Sequence, residues 1–353
     1  MNSDRLKPYK PKGRYSYRIA FFTKRKKRTL YSVYVIRALQ RLGCTVKHVN
    51  VYNYNRWFGT RLADWIIRRR VERFGPDAVF VFSSDIINQT LEHLATRYRT
   101  AHLLDEVFTV DSPVAEKMKL VDVSFQTQRG HLEESRKAGV KNPMYVPSGV
   151  DQDFHRSVPS DNAFESDVAF IGKGYFKTRV DLIEAVDQKF SLKVYGQRWE
   201  KTAIAPARNE IGVADFRRVC SSARIILGID KATELELYFS NRTWFVLGCG
   251  GFLLTRYVNG LEQLFANHEQ LVWFKDIEEC CELIRFYLTH EDLRKKIAKT
   301  GQTFAHEVYP NERMAEFMLR SLFEGETLEP LTDPGPGFES GEAAYGSFMN
   351  SVA

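Results

Sequence analysis

The sequence contains no hydrophobic run that would cross a bilayer. Its longest nearly apolar stretch, Trp244 to Leu254, falls short of the ~20 residues a membrane helix needs. The glycines in that stretch mark a helix-to-strand junction instead. Residues 1–17 are polar and basic and lack the apolar core of a signal peptide. The five cysteines, Cys44, Cys220, Cys249, Cys280 and Cys281, form an odd set without CxxC spacing. That scatter argues against a disulfide framework or a zinc site and for a reducing compartment. A cytoplasmic protein with no integral membrane segment and no metal site is the expectation. No repeat of solenoid period is present, and a hydrophobic fraction of 44% with 27% charged residues excludes a disordered or fibrous chain.

What is present is a chain of two characters. At 353 residues it is long for one compact domain and natural for two. Residues 1–150 carry 28 Lys and Arg against 13 Asp and Glu, whereas the remainder carries 23 against 31. The net charge of +7 therefore hides a basic first half and an acidic second half. Such a split points to two domains with different partners, the first facing something anionic.

Both halves alternate short apolar strands with helical spacing. In the first half, strands are expected at Arg18 to Phe22, Val46 to Val51, Ala78 to Phe82, His102 to Leu104 and Val123 to Phe125. Helices are expected at Leu30 to Leu42, Leu62 to Phe74, Ile86 to Arg99 and His131 to Ala138, several of them closed by glycine. The rhythm restarts after Pro147-Ser148-Gly149-Val150-Asp151, with strands at Val168 to Ile171, Leu192 to Tyr195, Ile225 to Gly228, Phe252 to Leu254 and Leu271 to Phe274. A terminal helix over Glu312 to Phe323 precedes a tail from Gly325 that reads as flexible. Repeated βα units mean parallel sheets covered by helices. The expected architecture is α/β: two tandem Rossmann-like domains, residues 1–150 and 151–324, then the tail 325–353, with ligand in the cleft between the domains.

The stretch Asn241-Arg242-Thr243-Trp244-Phe245-Val246-Leu247-Gly248-Cys249-Gly250-Gly251-Phe252-Leu253-Leu254-Thr255 resembles the signature of the spore-maturation CgeB-like glycosyltransferases. Gly260-Leu261 to Phe265, Asp276-Ile277-Glu278-Glu279, Tyr287 to His290 and Arg294 to Gly301 follow the closing pattern of that family. Phe170-Ile171-Gly172 with Arg179, and Val194-Tyr195-Gly196 with Trp199, match its entry into the second domain. The hinge Val146 to Asp151 with Phe154 is similar to the interdomain linker of many GT-B enzymes. The resemblance covers roughly residues 100 to 320 and is specific in the second half. It implies a GT-B fold, a nucleotide-sugar donor of UDP or GDP type, and no obligatory metal or other cofactor. At one position the chain departs from it. The family usually carries a Glu where this chain has Phe245, and in related enzymes that Glu holds the donor ribose. Glu234 or Glu236 in the preceding loop is the candidate replacement.

Sugar transfer from such a donor builds negative charge on the leaving diphosphate, so cationic side chains, backbone N–H groups and helix N-termini are sought. Gly172-Lys173-Gly174 follows a strand and either lets backbone approach phosphate or makes a plain tight turn. Arg179 opens the next helix and matches the family arginine, which favours a phosphate role. Ser240, Asn241, Arg242 and Thr243 lie at a helix start, where the alternative to donor contact is a simple cap with a solvated arginine. Tyr195, Gly196 and Trp199 follow a strand end, and their rings either stack on the nucleobase or fill the core. On the acceptor side, Lys24, Arg25, Lys26, Lys27 and Arg28 follow the first strand. With Arg56, Arg61 and the interleaved Tyr52, Tyr54, Trp57 and Phe58, they suit a phosphate-bearing acceptor: modified DNA or another nucleic acid, a phosphate-containing polymer or a glycan. For Arg68 to Arg70 a solvated helix face is the favoured reading. Candidates for a general base are Asp105 and Glu106, then Asp85, each beyond a strand's carboxyl end. A non-catalytic nucleic-acid- or sugar-binding protein on the same scaffold is the alternative function.

Overall fold

A computed structural model describes residues 8–23, 31–82 and 86–327. They form two compact units. The first comprises Tyr9–Ser148 and the described part of Asn311–Pro330, and the second is Gly149–Pro310. Lys24 to Arg28, Asp85 and most of the expected tail lie outside the described residues.

In the first unit the chain runs β1 (Arg18–Thr23), α1 (Tyr31–Arg41), β2 (Thr45–Asn50), α2 (Val51–Phe74), β3 (Ala78–Phe82), α3 (Asn88–Ala95), β4 (Arg99–Leu104), α4 (Pro113–Lys119), β5 (Val123–Gln126), α5 (Leu132–Lys137) and β6 (Pro143–Tyr145). The strands pair in the order β2-β1-β3-β4-β5-β6, all parallel. Helical crossovers impose that direction and cover both faces of the sheet. The central strands are accordingly apolar throughout, Ile19 to Phe22 and Ala78 to Phe82 being buried without a break.

α2 differs from the helix expected over Leu62 to Phe74. It starts at once after β2, capped by Asn50, whose side chain accepts from the Asn53 N–H. At Gly59 the backbone leaves the helical region, with φ 71° and ψ 162°. The two arms then fold together: the Arg70 guanidinium donates to the Tyr54 hydroxyl at 2.6 Å. A straight helix would hold those residues about 24 Å apart. α2 is a helical hairpin with its apex at Gly59, a position where a Cβ would be strained.

The second unit contains β7 (Ser166–Ile171), α6 (Lys177–Asp187), β8 (Leu192–Tyr195), α7 (Val213–Ser222), β9 (Ala223–Gly228), α8 (Arg242–Gly248), β10 (Leu253–Arg256), β11 (Val272–Phe274), α9 (Ile277–Thr289) and α10 (Glu291–Val308). Its parallel sheet has the order β11-β10-β9-β7-β8. The chain steps from β7 outward to β8, then returns to the opposite side of β7 as β9. The strand order therefore reverses between β7 and β9, and a crevice opens there at their carboxyl ends.

The last helix, α11 (Asn311–Glu324), was expected in the second domain and instead belongs to the first unit. The Phe323 ring stacks on Tyr17 at 3.7 Å, and Phe317 meets Phe125 edge to face. The buried Glu316 carboxylate accepts from the Tyr9 hydroxyl (3.1 Å), the Lys12 N–H (2.8 Å) and the Tyr15 hydroxyl (3.0 Å). Burial and that carboxylate push both tyrosines far above their usual range, so their hydroxyls remain donors. Helical periodicity identifies an apolar face but not the sheet it covers, which is why sequence order misplaced this helix. Glu316→Ala leaves three donors without their acceptor and should lower stability by about 3 kcal/mol, read as a shift in the urea midpoint.

Candidate functional site

The crevice between β7 and β9 is occupied by charge. Beyond β9 stands Asp230, 5% exposed. Its Oδ1 accepts from the Ser240 N–H at 3.0 Å and lies 3.7 Å from Nη2 of Arg242. Arg242 reaches across the switch point: Nη1 donates to the Ile171 carbonyl at the end of β7 and Nη2 to the Ile229 carbonyl beyond β9. Arg179, 6% exposed, does the same from α6, donating Nη1 to Lys173 O (2.8 Å) and Nη2 to Ile229 O (2.6 Å). The Phe170 ring lies under both guanidinium groups, 5.1 Å from Arg242 and 5.4 Å from Arg179.

One carboxylate thus serves two buried guanidiniums. Burial, then the charge of Arg242, lowers the Arg179 pKa to about 10. Burial lowers that of Arg242 as well, against the attraction of Asp230. Asp230 is itself pushed up by burial, with the two arginines opposing the shift, and its Oδ2 is buried without a hydrogen-bond partner. The cluster holds an excess of positive charge, which an arriving anion would relieve.

Around this cluster the structure sorts the expected donor residues. Gly172 and Gly196 pack backbone to backbone. A Cβ on Gly196, at φ +143°, would lie 2.1 Å from the Gly172 carbonyl oxygen, and one on Gly172 would meet Arg242 and Phe170. Their N–H groups do not face a ligand, however. Gly172 N–H is spent on Tyr195 O at 2.8 Å, and Gly174 N–H on Gln197 O at 3.0 Å. The β7–β8 pairing continues into the loop, so this turn is built by glycine but does not offer those N–H groups to phosphate. Lys173 between them is exposed.

Tyr195 and Trp199 resolve to the core alternative. Each is 1% exposed, and Trp199 packs edge to face on Phe170 while its Nε1 donates to Gly172 O at 3.1 Å. Rings closed off in this way have no face for a nucleobase. The exposed aromatic at this edge is Tyr175, with the Arg198 guanidinium 5.3 Å from its ring and Arg179 at 6.0 Å. The signal for Tyr175 in the sequence is its place right after Gly172-Lys173-Gly174.

α8 also corrects an expectation. Asn241 sits in helical φ/ψ and makes no side-chain cap, while the Ser240 hydroxyl accepts from Arg242 N–H at 3.2 Å. Thr243 is buried. Arg242 is therefore neither a solvated arginine nor a charge held at a helix end, because its fork is used to tie two strand ends together. Asp230 went unnoticed because a lone Asp after an apolar strand is indistinguishable from an ordinary loop residue. Of the proposed replacements for the family Glu, Glu234 is exposed and Glu236 accepts from Gln263 Nε2 at 3.0 Å. Phe245 itself stacks flat on His155, ring centres 4.0 Å apart and planes 15° off parallel.

In the first unit, Asp105 and Glu106 follow β4 at the carboxyl edge of that sheet. Asp105 is half-buried, and burial together with the neighbouring Glu106 pushes its pKa up to about 7. Glu106 is exposed, and its carbonyl accepts from Gln128 Nε2 at 2.9 Å. Among the described residues no cluster of metal-ligating side chains is present.

The fold and the second unit have counterparts among known proteins. Residues 179–320 match the family described as Glycosyl transferase-like. The chain superposes on Alr3699/HepE from Anabaena, solved in complex with UDP and glucose, with a TM-score of 0.63 at 10% identity over 87% of this chain and 100% of that one. T4 phage beta-glucosyltransferase gives a TM-score of 0.60 at 14% identity, over 87% and 99%. The fold is GT-B: two parallel-sheet Rossmann-like units in the manner of these glycosyltransferases. The chain is also 22% identical over 254 residues to spore protein CgeB of Bacillus subtilis (strain 168), 65% of this chain and 77% of CgeB. The chain is thus similar to CgeB, and its residues 179–320 are similar to the glycosyl transferase-like family, in line with the resemblance its motifs carry.

Asp230→Ala would leave two buried guanidiniums without their carboxylate. It should destabilise the protein by about 3 kcal/mol or more in chemical denaturation.

Proposed function

We propose that the protein transfers a sugar from a nucleoside-diphosphate donor of UDP type to an anionic acceptor. The observation that carries this reading is the Arg179–Asp230–Arg242 cluster at the β7/β9 switch point, with its excess positive charge. It lies mostly within the glycosyl transferase-like segment, and Alr3699/HepE, solved with UDP, has the same fold. In this reading Lys173 and Lys231, both exposed beside the cluster, contact the diphosphate, and the buried arginines supply fixed charge that needs no reorganisation as the bond breaks. Tyr175 is the platform for the nucleobase. The unpartnered Oδ2 of Asp230 accepts a hydroxyl of the donor, which Phe245 cannot do.

Asp105 is the proposed general base. It takes the proton of an acceptor hydroxyl, whose oxygen bonds to the anomeric carbon as the nucleoside diphosphate departs with the electrons of the old glycosidic bond. A carboxylate raised to about 7 is suited to this role at neutral pH. The acceptor's anionic character rests on the basic balance of residues 1–150, including Lys24 to Arg28. Modified DNA, a phosphate-containing polymer and a phosphorylated glycan all meet that requirement.

A second reading, a non-catalytic nucleic-acid- or sugar-binding protein, is favoured by one observation: Phe245 stacks on His155 where the family presents a carboxylate. Turnover separates the two. UDP release from a UDP-sugar supports the enzyme, and a broad donor panel that neither binds nor turns over removes it.

Lys173→Ala and Lys231→Ala should each weaken UDP binding by about three- to tenfold in calorimetry, with little change in stability because both side chains are exposed. Unchanged affinity in both would reject the diphosphate subsite. For the base, kcat/KM should fall as pH drops through about 7, because the raised pKa leaves Asp105 protonated below it. Asp105→Asn should abolish that limb and lower the rate roughly a hundredfold or more.

A further inference from the structure

Large exposed apolar side chains gather in one place. Tyr52, Trp57, Phe58, Leu62 and Trp65 all belong to α2, with exposures of 45% to 67%, while Tyr175 and Ile277 lie elsewhere. The hairpin gives this clustering its geometry. Its inner side, Val51, Ala63, Ile67 and Val71, is buried, and the Tyr54–Arg70 bond ties the arms. Its apex projects: residues 56–62 are exposed without interruption. Six arginines accompany the apolar residues, Arg56, Arg61, Arg68, Arg69, Arg70 and Arg73, against only Asp64 and Glu72. Both acids are already engaged, Asp64 by Arg68 at 3.0 Å and Glu72 by His93 at 3.0 Å.

We propose that the α2 apex is a wedge that docks the protein on the headgroup region of an anionic lipid bilayer. The chemistry selects this occupant. Tryptophan and phenylalanine partition into the interface, an aliphatic side chain such as Leu62 gains by entering it, and arginines around the apex pair with lipid phosphates. Stacked nucleobases suit the apex less well. The Trp57 and Phe58 rings stand edge to face, 88° apart at 6.4 Å, and present no parallel faces for successive bases, while Leu62 has no ring. The contact is peripheral, since no helix among the described residues is long and apolar enough to cross a membrane. It stands apart from the donor reading, because the wedge belongs to the first unit and the proposed diphosphate subsite to the second.

The test is flotation of the full-length protein with vesicles of phosphatidylcholine alone, or of phosphatidylcholine mixed equally with phosphatidylglycerol. The protein should float with the mixed vesicles, with a blue shift in tryptophan emission, and far less with the neutral ones. The doubles Trp57→Ser/Phe58→Ser and Arg56→Glu/Arg61→Glu should each lose about tenfold or more in vesicle affinity. These side chains are exposed, so melting temperature and UDP affinity should stay unchanged, which keeps failure of the wedge distinct from failure of the donor subsite. Three outcomes overturn the proposal: no flotation with anionic vesicles, flotation that either double leaves intact, or a single-stranded oligonucleotide bound through these residues while vesicles are not.

Discussion

The second unit depends on two guanidiniums sharing one buried carboxylate and a few strand-end carbonyls. The carbonyls of Ile171, Lys173 and Ile229 lie at or just beyond the ends of β7 and β9, where the strand order reverses. Arg179 and Arg242 satisfy them, and Asp230 makes two buried cations tolerable without neutralising both. The groups that close the sheet are therefore the groups that give the crevice its positive potential. Removing the carboxylate would leave both buried cations uncompensated.

That economy explains why the neighbouring loop is so tightly built. Gly172 and Gly196 are in contact because Arg242 must pass beside them, and Trp199 seals the turn from behind. With the Gly172 and Gly174 N–H groups bonded to the Tyr195 and Gln197 carbonyls, the loop is held against the end of β8. Phe245 belongs to the same logic. It lies stacked on His155, while the carboxylate at the crevice is that of Asp230.

In the first unit the corresponding constraint is the return of the chain. α11 comes back to a sheet finished more than 150 residues earlier and is held by Glu316 through three donors from the N-terminal segment. One carboxylate thereby joins the two ends of the described chain within a single unit. The α2 hairpin shows the opposite economy. Its inner side is committed to the core, whereas its apex exposes aromatic and aliphatic surface that folding alone does not use.

Much of this was legible in advance. Alternating apolar strands and amphipathic helices, glycine stops and the charge split identify two parallel-sheet domains, because period and breaker residues are local properties of the chain. The segment around Arg242 to Thr255 marks the second unit by its pattern. What local pattern cannot carry is which surfaces meet. Chain order groups α11 with the second domain, whereas it belongs to the first unit. Local pattern leaves Tyr195 and Trp199 open between stacking and core, and Arg242 between donor contact and a solvated cap, and only the contacts of the folded chain decide between them. Asp230 was invisible until the fold brought it beside two arginines 12 and 51 residues away. The sequence by itself determined the βα rhythm and the α/β fold class. The tertiary structure alone decided which cations are buried and which rings are closed off, because burial and pairing depend on contacts between residues far apart along the chain.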